Sequence, residues 1–446
     1  MDKRFSANSA PARWTDSGTR EALDAWSYRL ALGLYQTAVD VFFAAGGLRR
    51  LKKKYKTGVE ERMGIFDSGV PRNALWVHSV SVGEVQSALS LIEAARQSCS
   101  RPCVLSTVTR TGRVMAEKLT SHAVERFIYS PWDARRFVRR ALDRLCPAAY
   151  VAMETERWPT MLSELHRRGI PAFLVNGRLS DESAAPLLKT RGFWRGVLSC
   201  FNRLLVRFDS DRENFLRLGV PEEKIVVTGD CKIDAMIRRR ENLDLSKWAF
   251  LRGEASAPVL LAGSTHPGEE EAVLKAFQIL RRKFPRARLV IAPRHPERGQ
   301  SVAQLASAFG EARLLSGHSE FRDILVVDKI GVLFEMYGVV DAAFVGGSLV
   351  PKGGQNLMEP ALFGLRPVHG PDMRDFRDAD RMDAMGAARQ IRDADGLAEA
   401  WLSSLEEGSR QKAKEACAAW LETVGGASER SWAVIEEEIR ARLNSS

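Results

Sequence analysis

Short apolar runs alternate with segments of helical periodicity from residue 74 to the end of the chain. After the first run, the apolar residues Val85, Ala88 and Leu89 are spaced as they would be on one face of a helix. Strands that are regularly followed by helices predict parallel β-sheets covered on both faces. The predicted strands cover residues 74–80, 103–107, 127–130, 148–153, 172–176, 204–206, 225–228, 258–263, 288–292, 324–327, 342–346 and 367–369.

The alternation stops around residues 236–257, where charged side chains replace the apolar runs. We therefore predict a linker at 236–257, between an N-terminal domain at 57–235 and a C-terminal domain at 258–446 that includes the final helices. A chain of 446 residues is long enough for two domains with separate cores. Ligands of open parallel sheets bind at the carboxyl ends of the strands. Two α/β domains facing a cleft would therefore place the informative loops directly after each strand.

The N-terminal segment differs in character from the rest of the chain. Residues 1–29 read as a polar tail, and residues 30–48 are mostly apolar, close to the length that crosses a bilayer. Residues 49–56 then carry six cations in eight positions. Residues 30–56 thus predict an apolar, membrane-associating helix with a basic cluster, which lies on or crosses an anionic membrane. An amphipathic helix packed on the first domain is the competing interpretation.

Composition indicates an ordinary globular protein with an anionic partner. Apolar residues make up 45% of the chain and charged residues 27%, and the formal net charge is +10. That charge suits nucleic acid, anionic lipid or a phosphorylated substrate. No recognisable DNA or RNA motif is present, so we do not expect nucleic acid. The six cysteines form no CxxC pair and have no nearby histidine partners, so we expect free thiols, no metal site and no cofactor.

Glu84 stands where the loop after the first predicted strand becomes a helix. A carboxylate in this position commonly stabilises the helix dipole. On a loop that faces the ligand, it would instead act as a general base that removes a proton from an acceptor hydroxyl. The residues by themselves leave both interpretations open.

Two further loops of the first domain carry more polar side chains than a helix cap needs. Glu154 and Glu156 follow the fourth predicted strand, together with Arg157 and Trp158. Arg178 follows the next strand and would pair with a carboxylate or phosphate. We predict that these loops bind the molecule whose hydroxyl group would be deprotonated.

In the second domain, Ser264 lies in a strand–loop–helix start that suits a phosphate. Pro293, Arg294 and His295 follow the next strand, where the arginine would neutralise a nucleotide leaving group. We therefore predict that a ligand with a phosphate or nucleotide group binds to this domain.

Residues 344–361 join an apolar run to two glycine pairs and then to a helix predicted to begin at Asn356. Glycines in such a turn would let the backbone approach a ligand, while the helix N-terminus binds an anion. Asn356 and Glu359 also fit a capping box, in which case the glycines only form turns. The segment matches neither the P-loop nor the GxGxxG pattern.

Four motifs in order resemble the 3-deoxy-D-manno-octulosonic acid (Kdo) transferases of lipid A biosynthesis. They are HSVSVGE at 78–84, METERWP at 153–159, APRHPER at 292–298 and FVGGSLVPKGGQNLMEPA at 344–361. The resemblance runs from about residue 30 to the last helices. It implies a GT-B glycosyltransferase with two Rossmann-like α/β domains and an apolar N-terminal helix. It also implies a location on the cytoplasmic face of the bacterial inner membrane.

The resemblance further implies the reaction and the role of each loop. Kdo would pass from CMP-Kdo to a hydroxyl of the lipid A precursor lipid IVA, with inversion and without a metal. Glu84 would be the general base, and Glu154, Glu156 and Arg178 would bind the acceptor. The nucleotide sugar would be bound by Ser264, Pro293, Arg294, His295, Gly346, Gly347, Ser348, Gly354, Asn356 and Glu359.

Two positions depart from the family pattern. A Gly-Glu-Leu motif reads Gly331-Val332-Leu333 here, which removes a carboxylate although Glu335 follows closely. A Gly-Gly-His-Asn motif has Gln355 in place of the histidine. These departures keep two alternatives open, namely a GT-B enzyme with another nucleotide sugar and a non-catalytic relative that binds lipid A.

Overall fold

The computed structural model describes residues 25–253, 257–317 and 321–445. Residues 1–24 of the expected polar tail and residues 254–256 of the expected linker lie outside the described residues. The chain divides into two compact units. Unit 1 extends to Ala235 and also contains the C-terminal segment from Gly425, and unit 2 comprises Met236–Val424.

Unit 1 contains a seven-stranded parallel sheet with the strand order β3-β2-β1-β4-β5-β6-β7. Its central strands are buried along their whole length, which explains why they read as continuous apolar runs. The strands are β1 Leu75–His78, β2 Cys103–Thr107, β3 Arg126–Tyr129, β4 Ala149–Met153, β5 Ala172–Gly177, β6 Arg203–Val206 and β7 Ile225–Val227. The helices are α1 Trp26–Phe42, α2 Leu48–Lys54, α3 Val59–Arg62, α4 Val82–Arg96, α5 Arg110–Thr120, α6 Arg135–Leu145, α7 Pro159–Arg167, α8 Asp181–Leu188, α9 Arg191–Ser199 and α10 Asp209–Arg217.

Helix α11, Cys231–Glu241, passes from unit 1 into unit 2. Unit 2 contains a second seven-stranded parallel sheet, in the order β10-β11-β9-β8-β12-β13-β14. Its strands are β8 Val259–Thr265, β9 Arg288–Pro293, β10 Ala312–Leu314, β11 Ile324–Val326, β12 Ala342–Val345, β13 Val368–His369 and β14 Arg389–Gln390. The helices are α12 Glu269–Arg281, α13 Gly299–Ala306, α14 Leu333–Met336, α15 Met358–Leu362, α16 Ala379–Ala384, α17 Ala394–Ser404 and α18 Glu407–Val424, and α19 Ala427–Ser445 returns to unit 1.

The prediction of parallel α/β sheets is confirmed, and every predicted strand is present within about two residues of its predicted ends. Strands β10 and β14 were not predicted. Both form edges of the second sheet, are only two or three residues long and are partly exposed. Such strands lack the apolar run that identifies a buried strand.

Helix α1 is largely apolar both on the face that packs on unit 1 and on the face that is exposed. The inner face packs on unit 1, where Tyr28 is 4% exposed and the Tyr35 hydroxyl donates to Asp133 Oδ2 at 2.9 Å. The outer face is exposed at Trp26, Leu30, Leu34 and Val41. A kink at Gly46, with φ of +87°, separates α1 from the basic helix α2. The expected apolar N-terminal helix is therefore present.

The C-terminal helix α19 belongs to unit 1, whereas we expected all of the final helices in the C-terminal domain. Ala427, Trp432 and Ile435 are part of the hydrophobic core on one side of the first sheet. Asp234 at the start of α11 holds the N-terminus of α19, since its two carboxylate oxygens accept from Gly426 N and Ser428 N at 2.7 Å each. These contacts lie about 190 positions apart in the chain, so local periodicity does not reveal them.

We expect Asp234→Ala to lower the free energy of unfolding by about 1–2 kcal/mol, since it removes the side-chain cap of α19. Chemical denaturation of the full chain would measure this change. Glu241→Ala is the matched control because Glu241 is exposed at the other end of the same helix. Equal stability of the two variants would contradict the capping role of Asp234.

Candidate active site

Three residues with left-handed backbone mark the carboxyl ends of strands. Glu154, Asn176 and Ser264 have φ of +56°, +57° and +56°, a region that non-glycine residues rarely adopt. The pairing of β5 with β6 shifts register at Asn176, and that of β8 with β9 shifts at Ser264. Strained residues and bulges of this kind concentrate at functional sites because they redirect side chains.

Glu84 is both a helix cap and a member of a charged cluster. Its Oε2 accepts from Val80 N at 2.7 Å, and its Oε1 accepts from the Ser81 hydroxyl at 3.3 Å. Ser81 in turn accepts from Glu84 N at 3.5 Å, which makes a cap at the start of α4 that differs from a capping box in that the carboxylate accepts from Val80 N and not from the N-cap Ser81. The two interpretations from the sequence are therefore compatible, since the cap holds the carboxylate in one orientation.

Burial raises the pKa of Glu84 to about 7. The hydrogen bond from Val80 acts in the opposite direction, while the negative charges of Glu156 and Glu154 raise this pKa further. The structure thus brings Glu84, Glu154 and Glu156 together although about 70 residues separate Glu84 from the other two. A carboxyl group with a pKa near neutral is suited to general-base catalysis.

Lys232 at the start of α11 is a site residue that the sequence analysis missed. Its Nζ lies 2.7 Å from Glu154 Oε1, so a cation pairs with one of the three carboxylates. Lys232 directly follows the loop after β7, which is the same end of the sheet as the other loops. In the sequence, Lys232 is marked as a candidate site residue only by its position after a strand. The side chain of Arg178 is exposed, and its backbone N–H donates to the Glu154 carbonyl at 3.2 Å.

Glu156 is positioned by two aromatic residues. Trp158 Nε1 donates to Glu156 Oε2 at 2.6 Å, and His78 Nε2 lies 3.4 Å from the same oxygen. His78 is fully buried and also contacts the Ser106 hydroxyl through Nδ1 at 2.9 Å. His78 therefore links the end of β1 to the loop after β4.

Unit 2 contains a cavity of about 310 Å³ at the carboxyl ends of its strands. Four of the predicted nucleotide-sugar residues line it: Ser264, Arg294, Asn356 and Glu359. The other lining residues are Arg239, Gly331, Leu333, Phe334, Tyr337, Val345 and Gln355. Arg239 was missed, since the sequence analysis placed it in the linker. In the structure its guanidinium lies over the Phe334 ring, 4.5 Å from the centroid.

Asn356 and Glu359 differ in detail from the predicted helix cap. Helix α15 begins at Met358, and Asn356 Oδ1 accepts from Met358 N at 3.0 Å. Burial raises the pKa of Glu359, whereas the charge of Arg239 and the side chain of Asn356 act to lower it. The cavity thus combines two cations, Arg239 and Arg294, with one carboxylate.

The glycine loop after β12 binds a carboxylate of the protein itself. Glu269 is fully buried and accepts four backbone N–H bonds of 2.7–3.0 Å, from His266, Gly347, Ser348 and Leu349. A Cβ on Gly346 would lie 2.6 Å from the Ser264 carbonyl oxygen. These contacts give Gly346, Gly347 and Ser348 an internal packing role, and their contact with a nucleotide sugar stays a prediction.

The remaining predicted donor residues lie outside the lining of the described cavity. Pro293 ends β9 and is buried, while His295 is exposed. Gly354 N donates to the Gly347 carbonyl at 2.8 Å. Glu335 does not replace the carboxylate missing at Val332, because it accepts from Trp248 and Lys247 at 2.7 Å each.

Metal binding has no visible site in the described residues. In 25–253, 257–317 and 321–445, no three His, Cys, Asp or Glu side chains are grouped as metal ligands would be. Independence from a metal stays a prediction.

We expect Glu269→Gln to lower the free energy of unfolding by about 3 kcal/mol. The amide NH₂ cannot accept, so buried N–H groups of the glycine loop would be left without partners. Denaturant titration would measure the loss, with Glu271→Gln as the control because Glu271 is exposed on the same helix turn. Equal effects of the two substitutions would mean that Glu269 does not hold the loop.

Comparison with known proteins agrees with this geometry. Residues 57–235 match the family model described as 3-deoxy-D-manno-octulosonic-acid transferase (kdotransferase). Curated 3-deoxy-D-manno-octulosonic acid transferases from Haemophilus influenzae and Bordetella pertussis are 31% and 32% identical, over 82% and 81% of this chain and 88% and 87% of their own lengths. The crystal structure of UDP-GlcNAc 2-epimerase from Neisseria meningitidis covers 84% of this chain and 100% of its own, with 15% identity and a TM-score of 0.55, which supports the GT-B fold alone. The chain belongs to the 3-deoxy-D-manno-octulosonic acid transferase family.

Proposed function

We propose that this protein transfers Kdo from CMP-Kdo to a hydroxyl of a lipid A precursor such as lipid IVA, in lipopolysaccharide core biosynthesis. In this reaction the acceptor oxygen forms a bond to the anomeric carbon of Kdo. The bond from that carbon to the phosphate oxygen breaks, and CMP leaves with the electron pair. Inversion follows when the acceptor attacks from the face opposite to the phosphate.

The observation that carries this proposal is the carboxylate of Glu84. With its pKa raised to about 7, Glu84 is a stronger base than an exposed glutamate and is still ionised in a large fraction of molecules near neutral pH. Glu84 would take the proton of the acceptor hydroxyl as the new bond forms. Glu154, Glu156 and Arg178 would hold the acceptor beside this base.

The cavity of unit 2 suits a nucleoside monophosphate. Arg239 and Arg294 would neutralise the phosphate, so that CMP departs as a stabilised anion. Glu359 would accept hydrogen bonds from the ribose hydroxyls, with Asn356 and Ser264 beside it. These groups supply the charge compensation that a metal would otherwise provide, and they belong to the chain itself.

The N-terminal helix supports a place at the membrane. Residues Trp26–Lys54 form a helical segment whose most apolar window has a mean hydropathy of 1.2 and is 17% buried. The inner face of α1 is occupied by contacts with unit 1, such as the hydrogen bond of Tyr35 to Asp133 and the ion pair of Asp40 with Arg135 at 2.9 Å. We therefore infer that α1 lies along the surface of the cytoplasmic leaflet, with its outer face in the acyl chains and the cations of α2 against anionic headgroups.

We expect the wild-type protein to convert purified lipid IVA, with CMP-Kdo generated in situ, to products heavier by one or more Kdo units. Glu84→Gln should lower kcat about 10²–10⁴-fold and leave the affinity for CMP unchanged. In the wild type, kcat/KM should fall as the pH drops through about 7, because protonation of Glu84 removes the base. Mass spectrometry of the products and pH profiles measure these effects.

Glu93→Gln on the same helix is the control, since Glu93 pairs with His122 away from the carboxylate cluster. Full activity of Glu84→Gln would exclude the role as base. A folded wild type that binds CMP but transfers no Kdo would favour another nucleotide sugar or a non-catalytic lipid A-binding protein.

We expect Leu34→Glu to reduce binding to vesicles that contain anionic phospholipid at least tenfold, since a charge would enter the apolar outer face of α1. Leu34 is 63% exposed, so this change should leave the fold intact. Val114→Glu is the control, because Val114 is also exposed on unit 1 but lies on α5. Flotation of both variants with vesicles measures binding, and equal loss would place the membrane contact elsewhere.

A further inference from the structure

Two histidines meet beside the donor cavity of unit 2. His266 follows β8 and His295 follows β9, and these strands are parallel neighbours. Arg294 N donates to the Thr265 carbonyl at 2.9 Å, which brings the two loops together. The imidazole rings are nearly perpendicular, with centroids 5.9 Å apart.

The ring of His266 has an unsatisfied nitrogen. The residue is 9% exposed, and its Nε2 is buried without a hydrogen-bond partner in the part of the chain that the structure describes. Buried polar atoms are nearly always paired, so this ring nitrogen is available to a hydrogen-bond partner that the described chain does not supply.

Gly347 opens the space between this ring and the cavity. A Cβ on Gly347 would lie 3.5 Å from His266 Cδ2 and 3.4 Å from Gln355 Cγ. Cδ2 is bonded to Nε2, and Gln355 lines the donor cavity, so the Gly347 position lies between the Nε2 edge of His266 and a residue of the cavity lining.

The surroundings of His266 carry several cationic groups, and the exposed carboxylate of Glu297 lies 3.6 Å from His295 Nδ1. Lys352 lies in the loop 347–354, which the hydrogen bond from Gly354 N to the Gly347 carbonyl closes at 2.8 Å, with Gly347 beside His266. Burial is the main cause of the lowered pKa of His266, and the charges of His295, Lys352 and Arg294 lower that pKa further. The nearby carboxylate of Glu270 acts in the opposite direction, but it is occupied by Arg298 at 2.8 Å and by the Thr265 hydroxyl at 3.1 Å. The acid Glu269 is occupied by the backbone N–H groups of the glycine loop.

We propose that His266, His295 and Lys352 form a subsite for the carboxylate of the donor sugar, next to the phosphate site of Arg294. This proposal rests on the proposed function. In an ulosonic acid the anomeric carbon bears the carboxylate, and in the CMP conjugate the same carbon bears the phosphate. Two anions on one carbon need two adjacent cationic sites, and Arg294 belongs to both the cavity lining and the histidine cluster. Nucleotide aldoses lack this carboxylate, so the subsite would select the sugar.

The test uses three ligands and isothermal titration calorimetry, which needs no turnover. The ligands are a hydrolysis-stable phosphonate analogue of CMP-Kdo, the methyl ester of its carboxylate, and CMP. We expect the wild type to bind the free acid at least tenfold more tightly than the ester. His266→Ala and Lys352→Ala should remove most of this preference and leave the affinity for CMP within about twofold.

Two further variants serve as controls for this experiment. Arg294→Ala should weaken the binding of all three ligands because it removes the phosphate contact. Lys275→Ala removes an exposed cation on α12 and should change none of them. Equal binding of acid and ester by the wild type, or a parallel loss of CMP affinity in His266→Ala, would overturn the subsite. Tight binding of the acid without transfer of Kdo would instead contradict the proposed acceptor.

Discussion

Hydrogen bonds from backbone N–H groups to buried carboxylates hold the functional loops of this protein in place. Glu84 accepts from Val80, Glu269 from four N–H groups around the glycine loop, and Asp133 from Thr160 and Met161 at the start of α7. Asp234 does the same for the C-terminal helix. Loops at the ends of parallel strands carry free N–H groups, and a charged acceptor satisfies them more strongly than a neutral one.

The number of N–H partners distinguishes the structural carboxylates from Glu84, the proposed general base. Glu269 is surrounded by four donors, so its lone pairs are committed to the loop. Glu84 has one backbone donor and one hydroxyl, and two further carboxylates lie near it. Burial and like charge therefore raise its pKa to about 7, and it keeps the capacity to accept a proton.

Asp133 ties the N-terminal helix to the loop that carries Glu156. This buried carboxylate accepts from the Tyr35 hydroxyl on α1 and from two N–H groups at the start of α7. Helix α7 begins directly after the loop Glu154–Trp158. The docking of α1 and the position of the candidate acceptor loop thus depend on the same side chain.

Much of the fold can be predicted from the sequence, because strands buried on both faces must be apolar along their length. The same reasoning placed Glu84, Glu154 and Glu156 at strand ends. It missed β10 and β14, since short, exposed edge strands need no apolar run. The family resemblance added the fold type and the chemistry to these positions.

Only the tertiary structure decided which of these residues meet. Lys232 forms an ion pair with Glu154, which lies 78 positions earlier in the chain. The buried Glu269 accepts hydrogen bonds from the N–H groups of a glycine loop that begins 77 residues later. The sequence by itself determined the strands, the helices and the strand-end loops, because these follow from local periodicity and turn chemistry. Partners, burial and pKa values came from the tertiary structure, since they depend on contacts between segments far apart in the chain.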